Sequence, residues 1–482
     1  MSFLVRWVRS IFTLDLRSLG LFRIGLGLVV VVDVCFRALD VEIFYSDAGV
    51  RPRPLDQFLS APSLYLLNGS VAFAALLLAL TAVAGLALAL GWRTRLSAVA
   101  TWGLVLSVQH RNPSITTGAD GVLLLLCTFA CFLPLAHRFS LDAQAHPERA
   151  QRDPAVFATS TVGLLLQLGV IYVFNVVNKT GASWKDGSAV LRSLQIDQHT
   201  TPLGALLLAH TPWLSPPLTF GTLIVESSVL LLLVSFARDR IRVVVVVAFW
   251  LLHFGLGTTL YLGLFSPVCM VAWLAVLPPL VWQRGPLARL AARAATATSE
   301  TVRSSAIAVV AVAVAVTLIL VVQLWVNVAY TTQSARPEAV AVVGRAFAID
   351  ETWKMFGSPG IYDGWFIIPG KLASGRTVDL FQDGAELTEV KPRYVSHMYK
   401  TARWRKFMMN NSNEKRGRAS RKAYAAWLCR SWNETHSDDD RLTKLSIVFM
   451  LEKTRRDLKK PKVKKQELTN YTCRTSAVPS SG

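Results

Sequence analysis

The chain has 482 residues, 52% of them hydrophobic and 17% charged, with a formal net charge of +20. That composition excludes an ordinary soluble enzyme, and its apolar residues gather in runs of about 17–25, the length that crosses a bilayer as a helix. The basic excess does not point to nucleic acid: many arginines sit in short loops between apolar runs, and the C-terminal cluster "KTRRDLKKPKVKK" lacks the interleaved aromatics of a strand binder and reads as a solvated or headgroup-facing surface.

The opening segment, "MSFLVRWVRSIFTLDLRS", mixes arginines with apolar residues and has no small-residue cleavage site, so no cleavable signal peptide is expected. Apolar runs follow at 19–36, 69–90, 96–109, 120–135, 155–178, 216–236, 243–262, 264–281 and 306–328. They predict an all-α polytopic membrane bundle of about nine transmembrane helices. Arg6, Arg9 and Arg17 precede the first run. "GWRTR", "AHRFSLDAQAHPERAQR", "ARDRIR" and "QRGPLARLAARA" follow the even-numbered ones. By the positive-inside rule this places the N-terminus in the cytoplasm and everything after the ninth run on the periplasmic or lumenal side.

Composition changes near Thr331, so the predicted division is a transmembrane domain over 1–330 and an α+β extramembrane module over 331–482. "WFIIPGKLASGRTVDLF" reads as two strands around a Ser-Gly turn, "RKAYAAWLCRSWNETH" has helical spacing, and "LTKLSIVFMLEK" reads as a further strand. Of six cysteines, Cys35, Cys127, Cys131 and Cys269 lie in or beside apolar runs as small core residues. Cys429 and Cys473 lie in the module and would pair in an oxidising compartment.

Polar groups inside spans are costly and default to functional or pairing roles. Lys179 ends the fifth run in "VIYVFNVVNKTGASWKDG". It is either a snorkelling lysine at a helix end or one held partly desolvated, so that its neutral amine is a usable base. Asn175, one turn earlier, would bond that amine or a neighbouring helix. Glu226, near the middle of its run, must face the protein interior, in a helix–helix hydrogen bond or in a polar pocket. His253 is read as an interhelical donor rather than a ligand, because no second histidine stands at metal spacing; no metal is expected. Gly255, Gly257 and Gly263 would allow close approach of a helix or a flat ligand. No nucleophile elbow, phosphate-binding loop, dinucleotide fingerprint or cysteine cluster is present.

With those residues the chain resembles the vitamin K-dependent γ-glutamyl carboxylases and their bacterial relatives, the HTTM (horizontally transferred transmembrane) domain proteins. The likeness covers most of residues 17–280. "SLGLFRIGLGLVVVVDV" is similar to the family's opening segment, "GWRTRL" to its short turn, "AHRFSLDA" to its histidine-containing segment, and "LIVESS" to one with an intramembrane acid. "HFGLGTTLYLGLFS" carries His253 and Gly263 in register. The resemblance puts Lys179, five residues before Trp184, on the family's catalytic base and His137 on a histidine of its epoxidation chemistry. Asn178 stands where the family has a second lysine.

The resemblance implies an integral enzyme, in a bacterium that of the inner membrane, with Lys179, His137 and His253 catalytic. Asn175, Trp184, Glu226 and Gly257 would lie at the cofactor. The implied cofactor is reduced vitamin K or a related naphthoquinol reaching the site through membrane lipid, with O2 and CO2 as co-substrates. The lysine amine deprotonates the quinol, oxygenation generates a strong base, and that base removes a glutamyl γ-proton ahead of CO2 uptake. The implied acceptor is a secreted Glu-containing protein or peptide. Two alternatives stay open: quinol epoxidation without protein carboxylation, and a non-enzymatic lipid-binding scaffold.

Overall fold

The computed structural model describes residues 3–53, 61–147, 154–234, 238–283, 288–289, 306–413 and 417–473. Arg149, Arg152, Arg284 and Arg293, counted above among the loop arginines, lie outside these. Each apolar run contains a helix: α1 (Leu16–Ala38), α2 (Val71–Leu90), α3 (Thr94–Arg111), α4 (Gly118–Ala130), α5 (Thr159–Val177), α6 (Ser215–Ser227), α7 (Arg238–Thr259), α8 (Phe265–Leu274) and α9 (Ala306–Thr332).

The expectation of about nine membrane spans is corrected to six. Among the described residues only α1, α2, α5, the stretch Pro212–Leu233 containing α6, α7 and α9 are long and apolar enough to cross a membrane. α4 has 13 residues and α8 has 10, which at the helical rise amount to roughly 20 and 15 Å. α3 is long enough, but it buries a polar series (Ser97, Thr101, Ser107, Gln109 and Arg111) against the protein. A hydropathy scan sees apolar residues in all three; α4 and α8 turn most of theirs to the bundle interior, whereas α3 also leaves Leu96 and Val99 exposed.

Local chemistry sets the helix ends. Asp15 caps α1 by accepting from the Arg17 backbone N–H, and Ser70 caps α2 through Phe73 N–H. α2 stops at Gly91, whose φ of 68° is the left-handed conformation glycine supplies without strain. Gly27 lets α1 and α2 touch, since a Cβ there would lie 2.4 Å from Gly85 O.

The basic loops meet at one end of the bundle. Strand β1 (Leu14–Asp15) pairs antiparallel with β2 (Ala155–Val156). Arg242 donates to the Thr13 and Ile11 carbonyls. Arg23 donates to the Leu88 and Phe139 carbonyls, and Asp142 accepts from the Thr94 N–H and hydroxyl.

The C-terminal module sits at the other end. β3 (Tyr362–Ile367) and β4 (Pro369–Leu372) pair antiparallel with successive parts of the long β7 (Leu442–Lys453), whose other edge carries β8 (Val463–Thr472). β5 (Thr377–Asp379) joins β4 through the expected turn, with Gly375 at φ 89°, and pairs with β6 (Ala385–Glu386). Helices α10 (Ala402–Asn411) and α11 (Arg418–Thr435) complete the module. Cys429 on α11 and Cys473 just past β8 are joined in a disulfide with a Cα–Cα distance of 5.5 Å.

The composition change at 331 is not a break in packing. Ile349 and Trp353 sink into the helical core, while Val34, Phe44, Ala74 and Leu77 share one core with the sheet. A buried charge network crosses the same seam. Arg37 pairs with Asp33 at 2.6 Å and Asp120 at 2.5 Å, and Arg403 of α10 pairs with the same two carboxylates at 2.5 and 3.0 Å.

Candidate functional site

The site lies along one face of α5. Tyr172 and Asn175 stack on that face at three-residue spacing, and Lys179, two residues past the helix end, continues the same spacing. All three are buried.

Lys179 does not snorkel. Its side chain is 2% exposed, and Nζ donates to Glu226 Oε2 at 2.6 Å. Asn175 Nδ2 donates to Glu226 Oε1 at 2.7 Å, and Lys179 Nζ also reaches the Asn175 carbonyl at 3.5 Å. The Glu226 carboxylate of α6 is thus held from both sides by α5. Burial pulls the Lys179 ammonium below its ordinary value, and the Glu226 carboxylate opposes that pull. The Lys179 ammonium also stands 5.1 Å from the Trp184 ring centroid, within cation–π range. Trp184 is fixed in turn by an Nε1–H bond to the Phe356 carbonyl at 2.8 Å. Asn178, where a second lysine was expected by resemblance, donates to the Trp353 carbonyl at 3.0 Å. The segment 353–356 therefore closes over the end of α5.

One turn deeper, the Tyr172 hydroxyl and His253 Nε2 are 2.9 Å apart, and Trp273 Nε1 donates to the same hydroxyl at 3.1 Å. Among the described residues, three buried polar atoms near these groups have no partner: Asn175 Oδ1, His253 Nδ1 and Ser266 Oγ. Gly257 packs against Ser266, where a Cβ would meet Oγ at 2.9 Å, whereas a Cβ at Gly255 would meet nothing within 4 Å.

Of the residues singled out by sequence, the fold brings Lys179, Asn175, Glu226 and Trp184 into direct contact. His253 bonds Tyr172, which stands three residues before Asn175 on the same helix, and Gly257 packs against Ser266. His137 is not brought in. It neighbours Arg138, whose carbonyl region faces Gly20 at the basic end of the bundle. Lys179 follows the opposite end of the 19-residue α5, roughly 28 Å of helix away. No group of three or more His, Cys, Asp or Glu side chains that would hold a metal occurs among the described residues.

Sequence reasoning missed Tyr172, Trp273, Ser266 and the 353–356 cover. Tyr172 was findable, because it stands seven residues before Lys179 on one helical face. The others come from elements distant in the chain and carry no local signal. The family model of the HTTM domain matches residues 13–282. No curated protein and no solved structure matches the chain.

Proposed function

We propose, from the premise that the chain belongs to the HTTM domain family, that this multi-pass membrane protein is a vitamin K-dependent carboxylase-like enzyme with Lys179 as its base. The observation that carries the reading is the inward-turned lysine: its ammonium contacts Glu226 and Trp184 instead of reaching for an interface.

Lysine and glutamate act as one unit. With one proton between them the pair is neutral. With that proton on the Glu226 carboxyl, the Lys179 amine is free to take a second one from an acidic ligand hydroxyl, which leaves the pair a cation beside the new anion, so no net charge is stranded in a dry site. Asn175 holds the Glu226 carboxylate in place for that transfer. The Trp184 face steadies the ammonium and, with the 353–356 segment, keeps water out. A reduced naphthoquinol bound there would supply the hydroxyl and the reducing electrons for O2. The residues fit such a group, because Asn175 Oδ1, His253 Nδ1 and Ser266 Oγ are buried polar atoms left for a ligand's hydroxyls. His137, at the other end of α5, has no part in this site. The basic end of the bundle faces the cytoplasm in this reading, and the module and the Lys179 site face the periplasm or lumen.

The test is quinone epoxide formation in purified membranes supplied with reduced vitamin K and O2. Epoxide from the wild type and none from Lys179→Arg is the expected result. Labelled CO2 entering a Glu-containing peptide in the same membranes separates carboxylation from quinol oxygenation alone. No epoxide from the wild type removes the enzymatic reading and leaves a scaffold built around a structural ion pair.

A further inference from the structure

From Lys453 to Lys465, across the turn that joins β7 to β8, the chain carries eight basic residues and one acid, Asp457. Three of the eight are engaged in ion pairs: Arg455 with Asp457, Arg456 with Asp186, and Lys465 with Glu389. Lys459, Lys460, Lys462 and Lys464 are exposed and, among the described residues, have no ion-pair partner. Lysines on an open edge strand keep other strands from pairing there, which accounts for Lys464 on β8. Lys459, Lys460 and Lys462 precede the first paired residue of β8, Val463, and guard no edge.

Two contacts fix where this turn sits. Arg456 pairs with Asp186, and Gln195 Nε2 donates to the Arg455 carbonyl at 2.6 Å. Asp186 adjoins Gly187, whose carbonyl accepts from the Ser215 and Thr219 hydroxyls of α6 at 2.9 and 3.0 Å. A Cβ on Gly187 would stand 3.0 Å from the Pro216 side chain. These residues open the stretch Pro212–Leu233, which is long and apolar enough to cross a membrane. Trp213 is 69% exposed at its start, and Leu218 and Phe220 are exposed beside it. An exposed tryptophan at the end of a span marks headgroup level. The basic turn is therefore tied to the rim of the membrane, and Leu458 within it is itself exposed.

We propose that the β7–β8 turn is a docking surface for the anionic phospholipid headgroups of the adjoining leaflet, with Lys459, Lys460, Lys462 and Lys464 as its cationic contacts and Leu458 as its apolar one. Clustered lysines next to a span fit a surface of many negative charges, because each ammonium acts as a point charge with no fixed geometry to satisfy. An exposed leucine among them suits the boundary between headgroups and acyl chains. A nucleic-acid strand would call for aromatic rings among the lysines, and the turn has none. An acidic peptide would match the charge, but it gives no reason for a turn tied to the end of a span. The docking is independent of the chemistry assigned to Lys179.

The experiment places the full chain in nanodiscs of phosphatidylcholine alone and in discs with about one-third phosphatidylglycerol, the anionic component. Acetic anhydride, a neutral reagent, is added, and acetylation is read lysine by lysine by mass spectrometry. Lys444, exposed on β7 nine residues before Lys453, is the internal control, roughly 30 Å along the strand. The four turn lysines should react at least threefold more slowly in the anionic discs, with Lys444 unchanged. The difference should vanish in about 1 M salt, where charges are screened within about 3 Å. Equal rates in the two discs overturn the proposal, as does equal slowing of Lys444. Soluble glycerol phosphate that protects the turn in phosphatidylcholine discs as well as the anionic lipid does makes it a phosphate site and not a lipid surface. Hexaglutamate protecting it more than the anionic lipid assigns the turn to an acidic peptide instead. The wild-type chain suffices for every arm, so no outcome depends on a variant that folds.

Discussion

Arg403 and Asp33 are 370 residues apart in the chain and 2.5 Å apart in the fold. The pair nails the module's helix α10 to the first membrane span. Asp120 of α4 completes the arrangement by receiving both Arg403 and Arg37. Two arginines and two aspartates balance their charges in a place water does not reach. Removing one member therefore costs more than its own contacts. Arg403→Ala is expected to destabilise the protein by about 3–5 kcal/mol, the usual cost of stranding a buried charge. Adding Asp33→Asn should recover part of that loss. Thermal unfolding in detergent reads both, and strictly additive losses would show that the network is not coupled.

Lys179→Arg is the substitution that separates base from structural pair. A guanidinium still pairs with Glu226, so expression and melting temperature should stay near wild type. It cannot give up its proton at working pH, so epoxide formation should fall at least a hundredfold. Lys179→Ala is a poorer probe, because it strands the Glu226 carboxylate. The double variant Lys179→Met/Glu226→Gln should regain stability without regaining activity. Full activity in Lys179→Arg returns the lysine to a structural role.

Orientation is tested by labelling with a membrane-impermeant thiol reagent in intact cells. Ser374→Cys, exposed on the module, should react from outside, and Ala145→Cys, exposed at the basic end, should not. Equal reaction at both positions would refute opposite sides for the two ends.

The Cys429–Cys473 bond closes a sequence separation of 44 residues. Removing it should destabilise the module by about 3–4 kcal/mol. The bond also reports compartment, because it persists only in an oxidising one. Alkylation mass spectrometry on freshly isolated protein should find both thiols blocked. Finding both free would argue for a cytoplasmic module.

Asp363 gives the seam a pH dependence. Burial, and next the nearby Asp197, push its carboxyl up to about 7. It accepts from the Asp197 backbone N–H at 2.6 Å and from Gln198 Nε2 at 3.0 Å. Lys391, paired with Asp197 and Glu452, stands across the same cluster. A raised acid is protonated in the fold and ionised in the unfolded chain between its two values. Stability is therefore full below the unfolded value near 4 and declines as pH rises toward 7, by about a few kcal/mol. Melting temperatures measured at pH 5 and pH 8 should differ in the wild type, and the difference should shrink in Asp363→Asn.

The polar series on α5 was legible because helical periodicity fixes which side chains share a face. Asn175 and Lys179 stood out because polar groups in an apolar run have few places to go. The hairpin around Gly375, helix α11 and strand β7 were likewise readable, each from local pattern alone. The count of membrane spans was not. α4 and α8 are as apolar as true spans, and hydropathy cannot tell a helix that faces lipid from one that faces protein.

The sequence by itself determined that this is a helical membrane protein with an α+β module and a polar face ending in Lys179, because composition and periodicity are local properties. Only the tertiary structure decided who meets whom. It put Glu226 against Lys179, the 353–356 segment over Trp184, and Arg403 on Asp33. Those pairings join elements from tens to hundreds of residues apart. Desolvation makes each of them strong, and desolvation exists only once distant elements have packed and excluded water.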